Sequence, residues 1–204
     1  MKKNKVSKNW IYKHKKDIYV RKSKVEGYRS RAVYKLQEIN NKFKVLKNGF
    51  SIIDLGAAPG SWSQYVTKNF KNIKILAIDL KDIDKIDNVM QIKGDFTDKN
   101  FQEEIKSYFE NNKVDVVISD MAVNTSGNKN LDSIVTGELC IEAIKFAKNN
   151  LKKNGQFVSK LFMGSTFNEI VKYSREVFKE VNIFKPPASK KDSKENFIIC
   201  KKIR

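Results

Sequence analysis

Histidine is nearly absent from this 204-residue chain; His14 is the only one. It lies in the lysine-rich N-terminal arm, so no catalytic role is expected of it, and one histidine cannot make a histidine-rich metal site. Cysteine is equally scarce. Cys140 and Cys200 are far apart, each in an apolar stretch, and form no metal-ligand spacing, so reduced, buried thiols and no metal are expected. No apolar run approaches a membrane span, and residues 1–16 lack the apolar core of a secretory signal. Only three prolines occur, and the pair Pro186-Pro187 belongs to a loop inside the domain, not to a linker. The dinucleotide fingerprint G-x-G-x-x-G is missing, which argues against a dehydrogenase.

What the chain does have is positive charge, formally +18. Residues 1–35 carry 13 Lys and Arg against 2 Asp and Glu, and residues 185–204 carry 7 against 2. The 149 positions between them hold 21 against 19, so the excess sits at the two ends of a nearly neutral body. Localised this way, it predicts a polyanion docking where both termini meet, RNA above all, although a solvated basic arm has the same composition. Trp10, Tyr12, Tyr19 and Tyr28 interleave the N-terminal basic residues, placed either to stack on unpaired bases or to pin the arm to the domain. The expected organisation is a basic arm over residues 1–28 and a single domain over 29–204, with length for one core.

Apolar spacing predicts a helix over Arg31–Phe43, then strands and helices in alternation: strand Phe50–Asp54, helix Trp62–Phe70, strand Ile73–Asp79, strand Val89–Lys93, helix Asn100–Phe109 and strand Val114–Ser119. A long loop, Met121–Asn130, precedes a helix over about 131–151 and a turn at Lys152–Gly155. Strand Gln156–Leu161, helix Phe167–Lys179 and strands Val181–Phe184 and Phe197–Lys201 complete the chain. Alternation of this kind is the signature of a doubly wound α/β sheet, whose ligands bind at the carboxyl ends of the strands. The last two strands have no helix between them and are expected to pair antiparallel.

Three aspartates end or follow successive strands. Asp54 precedes Gly56 and Gly60 in a strand-to-helix turn where backbone can approach a ligand closely. Asp79 is placed to accept ribose hydroxyls, and Asp95 to accept from an adenine amino group. Asp120 and Lys160 also end apolar strands, where a charge is costly unless it emerges into a site. The run after Asp120 is Met-Ala-Val-Asn-Thr-Ser-Gly, without the Pro-Pro-aromatic sequence of base-amine methyltransferases, and no nucleophilic cysteine lies near it.

Taken with Arg29-Ser-Arg-Ala-Val-Tyr-Lys35, Asp54-Leu-Gly-Ala-Ala-Pro-Gly-Ser-Trp62, Gln156-Phe-Val-Ser-Lys160 and Glu195-Asn-Phe-Ile-Ile-Cys200, the chain resembles the RrmJ/FtsJ family of RNA ribose 2′-O-methyltransferases from about Trp10 to Lys202. The resemblance implies a Rossmann-like S-adenosyl-L-methionine-dependent methyltransferase fold, a mostly parallel seven-stranded sheet with helices on both faces and an antiparallel last strand. It implies a catalytic tetrad of Lys35, Asp120, Lys160 and Glu195. Cofactor contacts are implied at Gly60, Trp62, Asp79, Asp95 and Asp120, with Asp54, Gly56 and Ser61 in the same loop; Ser61 stands where the family usually has glycine. Arg29, Arg31, Lys190 and Lys194 are the expected RNA contacts, and Val123 replaces a common proline. The implied substrate is large-subunit ribosomal RNA, a uridine of the A-loop, with the enzyme a monomer acting on the large subunit. A tRNA anticodon-loop enzyme and a non-catalytic ribosome-assembly factor are the alternatives. The expected compartment is the cytoplasm in a bacterium, or a mitochondrion or other organelle in a eukaryote.

Overall fold

The computed structural model describes residues 17–122 and 129–204. Trp10, Tyr12, His14 and Val123 lie outside these. The elements are α1 (Ile18–Val25), α2 (Val33–Phe43), β1 (Ser51–Leu55), α3 (Ser61–Asn69), β2 (Lys74–Asp79), β3 (Val89–Lys93), α4 (Lys99–Tyr108), β4 (Val114–Ser119), α5 (Lys129–Asn150), β5 (Leu151–Phe162), α6 (Phe167–Val177), β6 (Phe178–Phe184) and β7 (Glu195–Ile203).

The seven strands form one sheet in the order β3-β2-β1-β4-β5-β7-β6. The first five pair parallel, and β7 inserts antiparallel between β5 and β6. Period-2 alternation divides each central strand between two cores. Ile52, Ile75, Val116 and Ile199 pack on one face with Leu36 and Ile39 of α2 and Tyr65 and Val66 of α3. Ile53, Leu76, Val117 and Ile198 pack on the other with Ile105 of α4, Ile144 of α5 and Ile170 of α6. Near-continuous apolar strands are what a sheet covered on both faces requires.

The strand order reverses between β1 and β4, which opens a crevice at their carboxyl ends. Asp54 lies in β1 and Asp120 directly follows β4, so the topology alone carries both acids to the crevice.

Two local features differ from the sequence reading. Residues 18–25, inside the expected arm, form a helix capped by Asp17, whose carboxylate accepts from the Tyr19 amide at 3.0 Å. Only Val20 and Ser23 of that helix are buried, too few to make an apolar stripe visible in the sequence. Tyr19 and Tyr28 pack on Tyr34 of α2, with ring centroids 5.4 and 6.4 Å apart. The second feature is the expected Lys152–Gly155 turn, which is a register shift inside β5. Leu151 pairs with Val114 but Gln156 already pairs with Val116, so the intervening residues bulge out of the ladder. Among the described residues, no helix is long and apolar enough to cross a membrane.

Candidate active site

Three strands and one helix bring four charged side chains together. Asp120 follows Ser119, which is paired with Ser159, so Asp120 lies beside Lys160. On the neighbouring strand pair, Phe162 faces Glu195 and Lys160 faces Phe197, which puts Lys160 and Glu195 diagonally on one face of the sheet. Lys35, in the first turn of α2, reaches in from above.

Lys160 Nζ donates to the Asp120 backbone carbonyl at 2.6 Å and lies 3.0 Å from its carboxylate. Lys35 Nζ is 2.8 Å from Glu195 Oε2 and 3.3 Å from Asp120 Oδ2. Ser189 completes the cluster by donating to Glu195 Oε1 at 2.7 Å. All four expected tetrad residues therefore form one connected network. Burial alone would push Lys35 down, but Asp120 and Glu195 together outweigh it and hold its pKa above the ordinary value. Burial would likewise push Asp120 up, and Lys160 and Lys35 outweigh it, leaving the carboxylate below its ordinary range.

Two cavities meet across this network. A cavity of about 440 Å³ is bounded by Gly56, Asp79, Asp95 and Asp120 together with the apolar Leu80, Phe96 and Met121. A second, of about 290 Å³, is lined by Ser30, Arg31, Lys35, Lys190, Ser193 and Glu195. Asp120 thus belongs to the first, and Lys35 and Glu195 to the second.

The loop from Gly56 to Gly60 lines the larger cavity through Gly56 and Ala58. Gly56 and Ala57 donate to the Ile78 carbonyl at 2.8 and 3.1 Å, which ties the loop to β2. Gly56 has φ +69°, and a Cβ there would come 2.2 Å from Met121 Cγ, so only glycine fits. Asp79 accepts from the Ala58 amide at 2.9 Å and the Lys81 amide at 2.8 Å. Asp95 accepts from the Thr97 amide and hydroxyl through Oδ1, at 2.9 and 2.7 Å. Both acids are thereby held rigidly at the cavity wall.

Asp54 is fully buried and accepts from the Ser63 hydroxyl at 2.7 Å. Burial pushes its pKa up to about 7, against the pull of the Ser63 hydrogen bond and with help from the Asp120 and Asp79 charges. Ser61 is buried and shares a 2.7 Å hydrogen bond with Ser30. Trp62 buries its indole against Phe197, with ring centroids 5.9 Å apart, and donates from Nε1 to the Ala32 carbonyl at 2.8 Å. Ser61, Trp62 and Asp54 line a small cleft of about 40 Å³ that also touches Gly56 and Asp120.

The four expected RNA contacts divide. Lys190 and Lys194 are exposed. Arg31 instead pairs with the Asp17 carboxylate and donates to the Ala188 carbonyl. Arg29 donates to the carbonyls of Pro59, Asp84 and Lys85. Sequence reading also passed over Leu80, Phe96 and Met121. The signal was there: each of Asp79, Asp95 and Asp120 is followed at once by an apolar residue, and all three followers line the same cavity. Ser189 carried no local signal, since its role depends on a loop folding back onto β7.

A family model for FtsJ-like methyltransferases matches residues 28–203. The chain belongs to the FtsJ-like methyltransferase family. It is 60% identical to the ribosomal RNA large subunit methyltransferase E of Pelagibacter ubique, over the full length of both chains. It is 42% identical to the enzyme of the same name from Legionella pneumophila, covering 98% of each. Among solved structures, a chain assigned as a ribosomal RNA methyltransferase from Plasmodium falciparum superposes with TM-score 0.78 at 35% identity, covering 86% of this chain and 98% of that one. Membership in the FtsJ-like family makes the seven-stranded sheet a methyltransferase fold.

Proposed function

We propose that this chain methylates a ribose 2′-hydroxyl in large-subunit ribosomal RNA, a uridine of the A-loop, using S-adenosyl-L-methionine. The observation that carries the reading is the meeting of two cavities across one buried ion network. One cavity suits an adenosine, with paired acid and apolar walls; the other has basic residues at its rim. The names of the full-length relatives support the choice of ribosomal RNA, and the uridine and the A-loop rest on the resemblance of the motifs.

The donor set fits the cofactor. Asp79 suits the ribose hydroxyls, Asp95 the adenine amino group, and Leu80 and Phe96 the faces of the base. Gly56 lets Met121 pack directly against the loop at the cavity's edge. Bound there, the cofactor would supply an electrophilic methyl group on a sulfonium.

The protein's own contribution is to orient the hydroxyl and manage its proton. Asp120 takes a hydrogen bond from Lys160 Nζ on its backbone carbonyl and an ion pair with it on its carboxylate. With Cε in a third position, the tetrahedral nitrogen keeps one position for the reacting hydroxyl. A lone pair there accepts the proton, whereas an N–H stabilises the developing alkoxide. Lys35 stays charged beside Glu195 and fixes the opposite wall.

The test is transfer of labelled methyl groups to isolated large subunits, free ribosomal RNA and tRNA, followed by digestion to nucleosides. Label in 2′-O-methyluridine from ribosomal RNA is the expected result. Label confined to tRNA would overturn the substrate, and label in base-methylated nucleosides would overturn the chemistry.

A further inference from the structure

Arg29 is an expected RNA contact, but its guanidinium is engaged with backbone oxygens of the protein itself. Arg29 Nη1 donates to the Pro59 and Asp84 carbonyls, both at 2.8 Å, and Nη2 donates to the Lys85 carbonyl at 2.9 Å. Its backbone amide donates to the Gln64 side chain on α3 at 2.9 Å. Three of the five guanidinium N–H groups thus hold backbone oxygens from two separate loops. One loop, Gly56–Gly60, lines the larger cavity through Gly56 and Ala58. The other, between β2 and β3, begins with Leu80 and Lys81, which form its wall.

An independent observation concerns Gly60, at the start of α3. Its φ is +104°, and a Cβ there would stand 2.8 Å from Arg29 Nη1 and 2.6 Å from Ile86 Cδ1. The bare α-carbon is what lets the guanidinium and the second loop close over the turn. Directly after Arg29, the Ser30–Ser61 hydrogen bond and the bond from Trp62 to the Ala32 carbonyl continue the same seam.

We propose that Arg29 is a positioning residue of the cofactor site, a clamp that fixes the Gly56–Gly60 loop against the 80–88 loop, and not an RNA contact. A planar fork suits this task, because a single lysine nitrogen cannot reach carbonyls on two loops in the same way. The inference rests on the cofactor reading given under Proposed function.

The experiment titrates S-adenosylhomocysteine into wild type, Arg29→Lys and Arg29→Gln, with melting temperature and ribosomal RNA affinity measured in parallel. Arg29→Gln is expected to weaken cofactor-product binding about tenfold, the scale of one charge-assisted hydrogen bond, and Arg29→Lys about threefold. RNA affinity should change by less than about twofold, and KM for S-adenosylmethionine should rise with kcat little altered at saturation. If Arg29→Gln does not fold, Arg29→Lys carries the comparison. Loss of RNA affinity with cofactor binding intact would overturn the proposal. So would an equal loss of both, which marks a general structural role, or a loss of neither. A wild-type protein that binds no S-adenosylhomocysteine would instead contradict the cofactor reading itself.

Discussion

Lys160 holds both the backbone carbonyl and the carboxylate of Asp120, at 2.6 and 3.0 Å from one nitrogen. A residue that binds two acceptors of the same neighbour cannot swing away without breaking both. The backbone carbonyl is the important member, because it fixes the amine even if the carboxylate rotates to meet a ligand. Lys160 is only 6% exposed, and so enclosed a position is costly for lysine unless its partners are strong.

Glu195 carries this core to the smaller cavity through Lys35 and is held there by Ser189. Glu195→Gln should lower kcat by about tenfold or more, since a charged hydrogen-bond partner of Lys35 becomes neutral. Ser189→Ala should cost less, about threefold, because Glu195 keeps its bond to Lys35. Single-turnover rates with cofactor binding measured alongside would check both. An equal loss in the two variants would contradict this ranking.

Asp54 makes a prediction about stability and pH. Its folded pKa of about 7 exceeds the ordinary 3.8, so the folded state binds the extra proton between those values. Stability from this group is therefore present at low pH, falls as pH rises from about 4 to about 7, and is flat above that, a total of roughly 4 kcal/mol at most. Asp54→Asn, which keeps an acceptor for Ser63, should raise Tm relative to wild type by several degrees near pH 8 and by much less near pH 5. Thermal melts of the two proteins across that range decide it.

Much of the fold was legible because the central strands are apolar on both faces and an acid ends or follows β2, β3 and β4. Asp79, Asp95 and Asp120 mark strand ends in the sequence, and the structure places all three around one cavity. What escaped notice has a common physical cause. Helix α1 buries too little surface to show a pattern, and nothing local to Arg29 and Arg31 reveals that backbone carbonyls 30 to 157 positions away take some of their donors. Sequence identifies charge; only the fold decides which way it points.

Glu38 illustrates the same limit. One turn beyond Lys35, it accepts from the Ala188 amide at 2.7 Å and the Tyr19 hydroxyl at 3.3 Å, pinning the loop that carries Ser189 and Lys190. Glu38→Ala should raise KM for the RNA substrate about tenfold, as expected for loss of a charged hydrogen-bond acceptor, while S-adenosylhomocysteine affinity stays within about twofold. Steady-state kinetics on both substrates would show the split.

Lys190 and Lys194 are exposed on that loop and lack the fork needed for bidentate phosphate contacts. Replacing each by alanine should weaken RNA binding across sequences and reduce the salt slope of log affinity by about one per lysine. Binding isotherms over a salt series supply the slope. An unchanged slope would place the RNA elsewhere.

The most direct test of the central claim is the single-turnover rate of methyl transfer by Lys160→Ala on large subunits, with S-adenosylhomocysteine and RNA affinities measured on the same protein. The account predicts a fall of about a hundredfold or more in rate, the scale of a lost proton-handling group, with both affinities within about threefold of wild type. Transfer at close to the wild-type rate would contradict the placement of Lys160 at the centre of the reaction.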